Sequence, residues 1–108
     1  MAYKSIIAMV KPNLTDRVVN SAKQVGATGA TIIPASGTGS HEAKTFFGLS
    51  LDIRTDVVLF LVEGDLVEAV LSTIKEAGRF SEPGTGIAFV LSVEQTAGLE
   101  SQLSKPQR

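Results

Sequence analysis

Apolar positions change their spacing along the chain, and each change marks a predicted element. Residues 3–10 (YKSIIAMV) form a short apolar segment that ends at Lys11-Pro12, as is typical of a β-strand. Over residues 14–25 the apolar side chains instead recur every three or four positions, and Gly26 follows them. That spacing predicts an amphipathic helix that ends at the glycine.

Two further strands are predicted on either side of a long connection. Residues 28–35 contain a β-branched centre and a proline near the end, which suits a strand at the edge of a sheet. Residues 56–63 (DVVLFLVE) are almost continuously apolar, as in a strand covered on both faces. The connecting segment, residues 37–54, is unusually long for so short a chain, which suggests that it has a function.

The last part of the chain repeats the helix-then-strand order. Helical spacing over residues 66–77 predicts a second helix, with Asp65 as its N-cap and Gly78 at its end. Residues 87–93 (IAFVLSV) predict a fourth strand. The order βαββαβ predicts an α+β ferredoxin-like sandwich, with a four-stranded antiparallel sheet and two helices on one face. We interpret the two helical crossovers as right-handed links between neighbouring parallel strands.

Composition limits the chain to one domain. The 108 residues include 44% hydrophobic and 19% charged residues, with a net charge of −1, which argues against nucleic-acid binding. No cysteine is present for a disulfide, and no apolar run is long enough to span or insert into a membrane. We expect a cytoplasmic protein with a domain over residues 1–93 and a polar tail over residues 94–108.

The sheet face away from the helices is predicted to be apolar, and a small monomer rarely exposes such a face. The side chains expected there are Val58, Phe60 and Val62, or their alternates along the same strand. Oligomerisation would cover them.

An ordered set of short motifs resembles the PII signal-transduction family across about residues 4–93. The motifs are KP after the first strand, VGATGATI, GTG at the start of the long connection, and EPGTGIAFVLSV. The resemblance implies a homotrimer that binds adenine nucleotides between subunits. It also implies that residues 37–54 contact a regulated partner, such as a membrane transporter or a metabolic enzyme, with Phe46 and Phe47 either anchoring that partner or packing within the assembly.

The same resemblance assigns a nucleotide site. The implied contacts to base, ribose and phosphates are Gly29, Ala30, Thr31, Gly37, Thr38, Gly39, Ser40, His41, Leu61, Gly84, Thr85 and Gly86. Glycine suits phosphate binding because backbone N–H groups can approach an anion closely, although these glycines could also simply end strands. On this interpretation, Gly86→Asp should abolish binding by placing a carboxylate against the phosphates.

Several charges of the family pattern are missing here. Ser40-His41 stands where an Arg-Gln pair is usual, and Ile87 stands where a lysine is usual. The paired arginines beyond the fourth strand are also absent, since residues 93–102 contain no basic residue. We therefore expect AMP or ADP to be favoured over ATP unless other cations compensate, and neither magnesium binding nor 2-oxoglutarate sensing is implied. The candidates for compensation are Arg54, Arg79 and Lys44.

Two other classes of function remain as alternatives. A trimeric metal-tolerance protein of the CutA type shares the fold and could use His41, although its cysteine and aromatic pattern is missing. A sensor of another small anion, such as bicarbonate, would also use glycine loops. Catalysis is not expected, because one histidine and no cysteine leave no nucleophile–base pair that spacing can assemble.

Overall fold

The computed structural model describes residues 2–36, 45–46, 49–50 and 54–99. Short 3-10 turns precede both helices, at Pro12–Leu14 and Gly64–Leu66. The six predicted helices and strands are all present, and their ends differ from prediction by at most two residues. In chain order, the elements are β1 (Tyr3–Val10), α1 (Thr15–Gln24), β2 (Ala30–Ser36), β3 (Thr45–Phe46), β4 (Leu49–Ser50), β5 (Arg54–Glu63), α2 (Val67–Ala77) and β6 (Gly86–Ser92).

Four strands form one antiparallel sheet in the order β2-β5-β1-β6, while β3 and β4 pair separately with each other. With α1 and α2, this sheet gives the predicted ferredoxin-like α+β fold. The prediction that each helix joins neighbouring parallel strands is wrong. The strand β5 lies between β1 and β2, and β1 lies between β5 and β6, so every adjacent pair is antiparallel.

The core lies between one face of the sheet and the two helices. Its sheet side includes Ile6 of β1 and Val58, Phe60 and Val62 of β5, all 2% exposed or less. Of the two sets predicted as alternatives for the face away from the helices, Val58, Phe60 and Val62 are therefore excluded, and their alternates along β5 form that face. Successive side chains of a strand point to opposite faces of the sheet. Because both sets of alternate residues on β5 are apolar, this alternation does not reveal which set the helices cover.

The face of the sheet opposite the helices is apolar across all four strands, and we call it the open face. Strand register places Ile33, Val57, Met9 and Ile87 in one row across it. The next row contains Thr31, Leu59, Ile7 and Phe89. Such a continuous apolar surface marks an interaction site in most soluble proteins.

Both helices begin without a side-chain cap. The prediction that Asp65 caps α2 is wrong: Asp65 lies inside the preceding 3-10 turn, and the N-cap residue is Leu66. At the start of α1, the buried Thr15 hydroxyl donates a 2.6 Å hydrogen bond to the Asp56 carboxylate of β5. This charge-assisted bond fixes α1 to the sheet. None of the helices that the described residues form is long and apolar enough to cross a membrane.

Candidate functional site

Four of the predicted nucleotide contacts surround one cavity at the edge of the sheet where β2 begins. The cavity has a volume of about 580 Å³ and includes Gly29, Ala30, Thr31 and Leu61 in its wall. We call it the base pocket. An added Cβ at Gly29 would have no atom within 4 Å, so the space beside this residue is open.

The base pocket has an apolar wall and a polar rim. Leu59, Leu61 and Leu99 supply the apolar wall, and Thr28 and Thr31 supply hydroxyl groups. This combination suits a flat apolar group with a polar edge. Leu99 was not predicted, because a single leucine in a polar tail gives no periodic signal, and Leu59 was not assigned to the site.

Two further predicted contacts, Gly84 and Gly86, belong to a compact turn after α2, residues 78–86, which we call the glycine loop. Its centre is Thr85, which is buried and whose hydroxyl lies 2.5 Å from the Arg79 carbonyl oxygen and 2.9 Å from that of Glu82. The Glu82 N–H donates to the same Arg79 carbonyl at 3.0 Å. Gly84 has a φ of 77°, which favours glycine. The Thr85 hydroxyl therefore organises the loop from inside.

Gly86 is required by packing. A Cβ there would lie 2.3 Å from the Met9 carbonyl oxygen of β1 and 2.6 Å from Cε1 of Phe80. Gly78 makes room for the same ring, since its added Cβ would lie 2.4 Å from Phe80 Cε1. The proposed Gly86→Asp test is therefore not specific for phosphate contact, because any side chain at this position would disturb the sheet.

The base pocket and the glycine loop lie at opposite ends of the sheet. Along β2, Thr31 and Ser36 are five residues apart, which corresponds to about 17 Å of extended strand. Strand register places Gly86 beside Val10, at the end of the sheet that contains the last residue of β2, Ser36. Within one chain, the two groups of predicted contacts do not form one site.

The predicted cations are distributed unevenly. Arg54 is exposed and lines a cavity of about 310 Å³ with Ser36, its partner across β2 and β5. Arg79 is exposed and belongs to the glycine loop. Phe46 lies in β3, where only its backbone is described. Seven other predicted site residues lie outside the described residues: Gly37, Thr38, Gly39, Ser40, His41, Lys44 and Phe47.

A third cavity, of about 590 Å³, lies between α2 and β6. It is lined mainly by Leu71, Phe80 and Ile87, with Glu68 and Lys75 among its polar groups. One carboxylate and one ammonium group give no net attraction for an anion. Among the described residues, Gly86 is the one predicted contact that also lines this cavity, and we assign no ligand to it.

The chain contains a single tyrosine, Tyr3, and it lies at the end of the sheet opposite to Ser36 and Arg54. It pairs with Glu63 at that end of the sheet. Desolvation and the nearby Glu63 carboxylate raise the pKa of the Tyr3 hydroxyl above its ordinary value of 10.0, so this group is neutral near pH 7. Within the described ranges, no three histidine, cysteine, aspartate or glutamate side chains are grouped so that they could hold a metal ion.

Comparison with known proteins identifies the family. The family model for nitrogen regulatory protein P-II matches residues 3–102. A nitrogen regulatory protein P-II of Bradyrhizobium diazoefficiens is 32% identical over 97 residues, covering 85% of this chain and 87% of that protein. Nitrogen regulatory protein P-II 1 of Escherichia coli is 27% identical, with coverage of 83% and 85%.

A solved structure agrees with these matches. The crystal structure of Arabidopsis thaliana PII bound to citrate superposes with a TM-score of 0.63 at 27% identity, covering 85% of this chain and 78% of that one. The chain belongs to the P-II nitrogen regulatory protein family. Members of this family are non-enzymatic signal transducers, which confirms the prediction that the chain is not an enzyme.

Proposed function

We propose that this P-II protein binds an adenine nucleotide between neighbouring subunits of a homotrimer. The observation that carries the proposal is the separation of the base pocket from the glycine loop. Each has part of the chemistry that a nucleotide needs, and the strand register places them at opposite ends of one sheet. Two chains arranged head to tail bring the base pocket of one beside the glycine loop of the next.

The open face supports such an assembly. A head-to-tail contact that closes on itself forms a ring, and burial of the apolar rows on the open face would stabilise it. Obligate assemblies of this kind bury on the order of 2,000 Å² or more of total surface per interface. The ring of three is the arrangement that the resemblance to the P-II family implies.

We expect AMP or ADP to bind at least as tightly as ATP. Ser40 and Ile87 stand where an arginine and a lysine are usual, and the paired arginines beyond the fourth strand are absent, so each lost charge-assisted contact costs about 1.5–3 kcal/mol. Isothermal titration calorimetry of the purified protein with AMP, ADP and ATP, with and without magnesium, measures the order of affinities. A strong preference for ATP would contradict this prediction and would show that other cations hold its outer phosphates.

We further propose that residues 37–54 transmit the bound state to a partner in the cytoplasm, either a membrane transporter or a metabolic enzyme. Ser36 and Arg54 pair across β2 and β5, so both ends of the segment lie beside each other at one end of the sheet. Within it, Thr45 and Phe46 pair with Ser50 and Leu49 as a short antiparallel ladder. A nucleotide can bias this segment only to the extent that its affinity differs between two states of the segment.

Substitution of both Phe46 and Phe47 by alanine tests this output. If these side chains anchor the partner, the double variant keeps its nucleotide affinity and no longer binds the partner, because aromatic side chains commonly dominate such interfaces. Calorimetry and co-purification of the partner measure the two properties separately. Loss of nucleotide binding together with partner binding would instead assign the pair to the structure of the assembly.

A further inference from the structure

The glycine loop contains the one non-glycine residue with a positive φ among those that the structure describes, Arg79, at 58°. This left-handed conformation is disfavoured for any residue that has a Cβ. Disfavoured backbone geometry persists only where the surrounding structure holds it in place, and it occurs often at functional sites.

The end of α2 shows why this position would normally be glycine. The Phe80 N–H donates to the Lys75 carbonyl oxygen at 3.0 Å, and the Arg79 N–H donates to that of Glu76 at 3.2 Å. These two bonds form a Schellman motif, in which the left-handed residue is usually glycine. A glycine is present one position earlier, at Gly78, but its φ is −85° and it makes room for the Phe80 ring.

The backbone of Arg79 is held in place from inside the loop. Its carbonyl oxygen is within hydrogen-bond distance of the Thr85 hydroxyl and also accepts from the Glu82 N–H. The buried Thr85 lies between Gly84 and Gly86 in the sequence, so its hydroxyl links the Arg79 backbone to the residue that separates the two glycines. The Arg79 side chain is exposed, and its guanidinium forms no ion pair within the described part of the chain.

We propose that Arg79 is the phosphate-binding cation of the glycine loop in this chain. This inference rests on the proposed nucleotide-binding function and identifies the residue that takes the place of the lysine missing at Ile87. A guanidinium can bind two phosphate oxygens at once, whereas the loop backbone alone offers only N–H groups. The ligand class is a nucleoside mono- or diphosphate.

The net charge around the glycine loop limits the number of ligand phosphates that it can bind. Residues 75–86 carry two cations, Lys75 and Arg79, and two carboxylates, Glu76 and Glu82. Their formal sum is zero, so one guanidinium can hold an inner phosphate but the region offers no surplus charge for a third phosphate. Arg79 therefore favours AMP or ADP over ATP.

The test uses three substitutions of Arg79 and a charge control. Arg79→Gly removes the cation and relieves the left-handed backbone, Arg79→Lys keeps the charge without the planar fork, and Arg79→Gln removes the charge alone. Arg17→Gln removes the same charge from an exposed position on α1. Each variant is titrated with ADP and with adenosine by calorimetry, and its thermal midpoint Tm is measured without ligand.

Arg79→Gly and Arg79→Gln are expected to weaken ADP binding by about tenfold to a hundredfold, with Arg79→Lys in between. The Arg79 variants should bind adenosine as tightly as the wild-type protein does, and Arg17→Gln should leave the ADP affinity unchanged. The Tm of Arg79→Gly should equal or exceed that of the wild-type protein. If Arg79 only complemented the helix dipole, Arg79→Gln would lower Tm and leave ADP affinity intact, which would overturn the inference but not the nucleotide site. If the wild-type protein bound neither AMP, ADP nor ATP, the inference and the proposed function would both be wrong.

Discussion

Leu59→Asp is expected to separate the assembly into single chains. Leu59 lies in the row of the open face that also contains Ile7 and Phe89, on one of the two central strands. Each buried leucine contributes about 1.5–3 kcal/mol, and an unpaired carboxylate in a dry interface costs several kcal/mol more. A ring repeats this loss at every interface, so the effect on association is large.

Sedimentation velocity at micromolar concentration measures this change directly. The wild-type protein should sediment with three times the chain mass of 11.4 kDa, and Leu59→Asp should sediment with the mass of one chain. Asn20→Asp is the matched control, because it adds the same charge at an exposed position on α1. A wild-type protein that is already a stable monomer would contradict the proposed role of the open face.

Gly86→Ala should destabilise the fold by about 3 kcal/mol or more, because the new methyl group has no space. Its Cβ would overlap the Met9 carbonyl oxygen, which belongs to the backbone of the central strand β1 and cannot rotate away. The Phe80 ring blocks movement in another direction. Urea denaturation at a fixed protein concentration measures the change in the free energy of unfolding.

Gly29→Ala is the control for this substitution. Gly29 precedes β2, and its added Cβ would have no atom within 4 Å. Its effect on the free energy of unfolding should remain within about 0.5 kcal/mol. Equal destabilisation by the two substitutions would mean that Gly86 is not fixed by its contacts with β1 and Phe80.

The order of elements could be predicted because local patterns specify it. The apolar spacing of residues 14–25 and 66–77 indicated helices, and β-branched runs between glycines indicated strands. The choice of the buried sheet face could not be predicted in the same way. On β5, Phe60 and Leu59 are equally plausible core residues by sequence, and only the position of the helices decides that Phe60 is covered.

The site was predictable only where the resemblance supplied it. Gly29, Thr31 and Leu61 were assigned by resemblance, and they share a cavity in the structure. Some residue types are required by contacts between positions that are distant in sequence, and no local pattern encodes such contacts. Gly86, for example, must be glycine because it packs against the backbone of Met9. The left-handed conformation of Arg79 was likewise hidden, because an adjacent glycine offered the more obvious place for it.

The proposed nucleotide site is shared between two chains. Two variants each damage one half of it: Gly29→Glu puts a carboxylate beside the open space of the base pocket, and Arg79→Glu puts one beside the glycine loop. Neither variant alone should bind ADP, because the carboxylate occupies the pocket in the first and repels phosphate in the second. Unfolding the two together and refolding them as an equal mixture produces trimers that contain both chains.

In a head-to-tail ring, some interfaces of the mixture then join an undamaged base pocket to an undamaged glycine loop. Calorimetric titration of the mixture with ADP should recover about a quarter of the wild-type number of sites, at wild-type affinity. If both halves of the site belonged to the same chain, every chain in the mixture would carry one damaged half. The mixture would then bind no ADP, and that result would contradict the shared site.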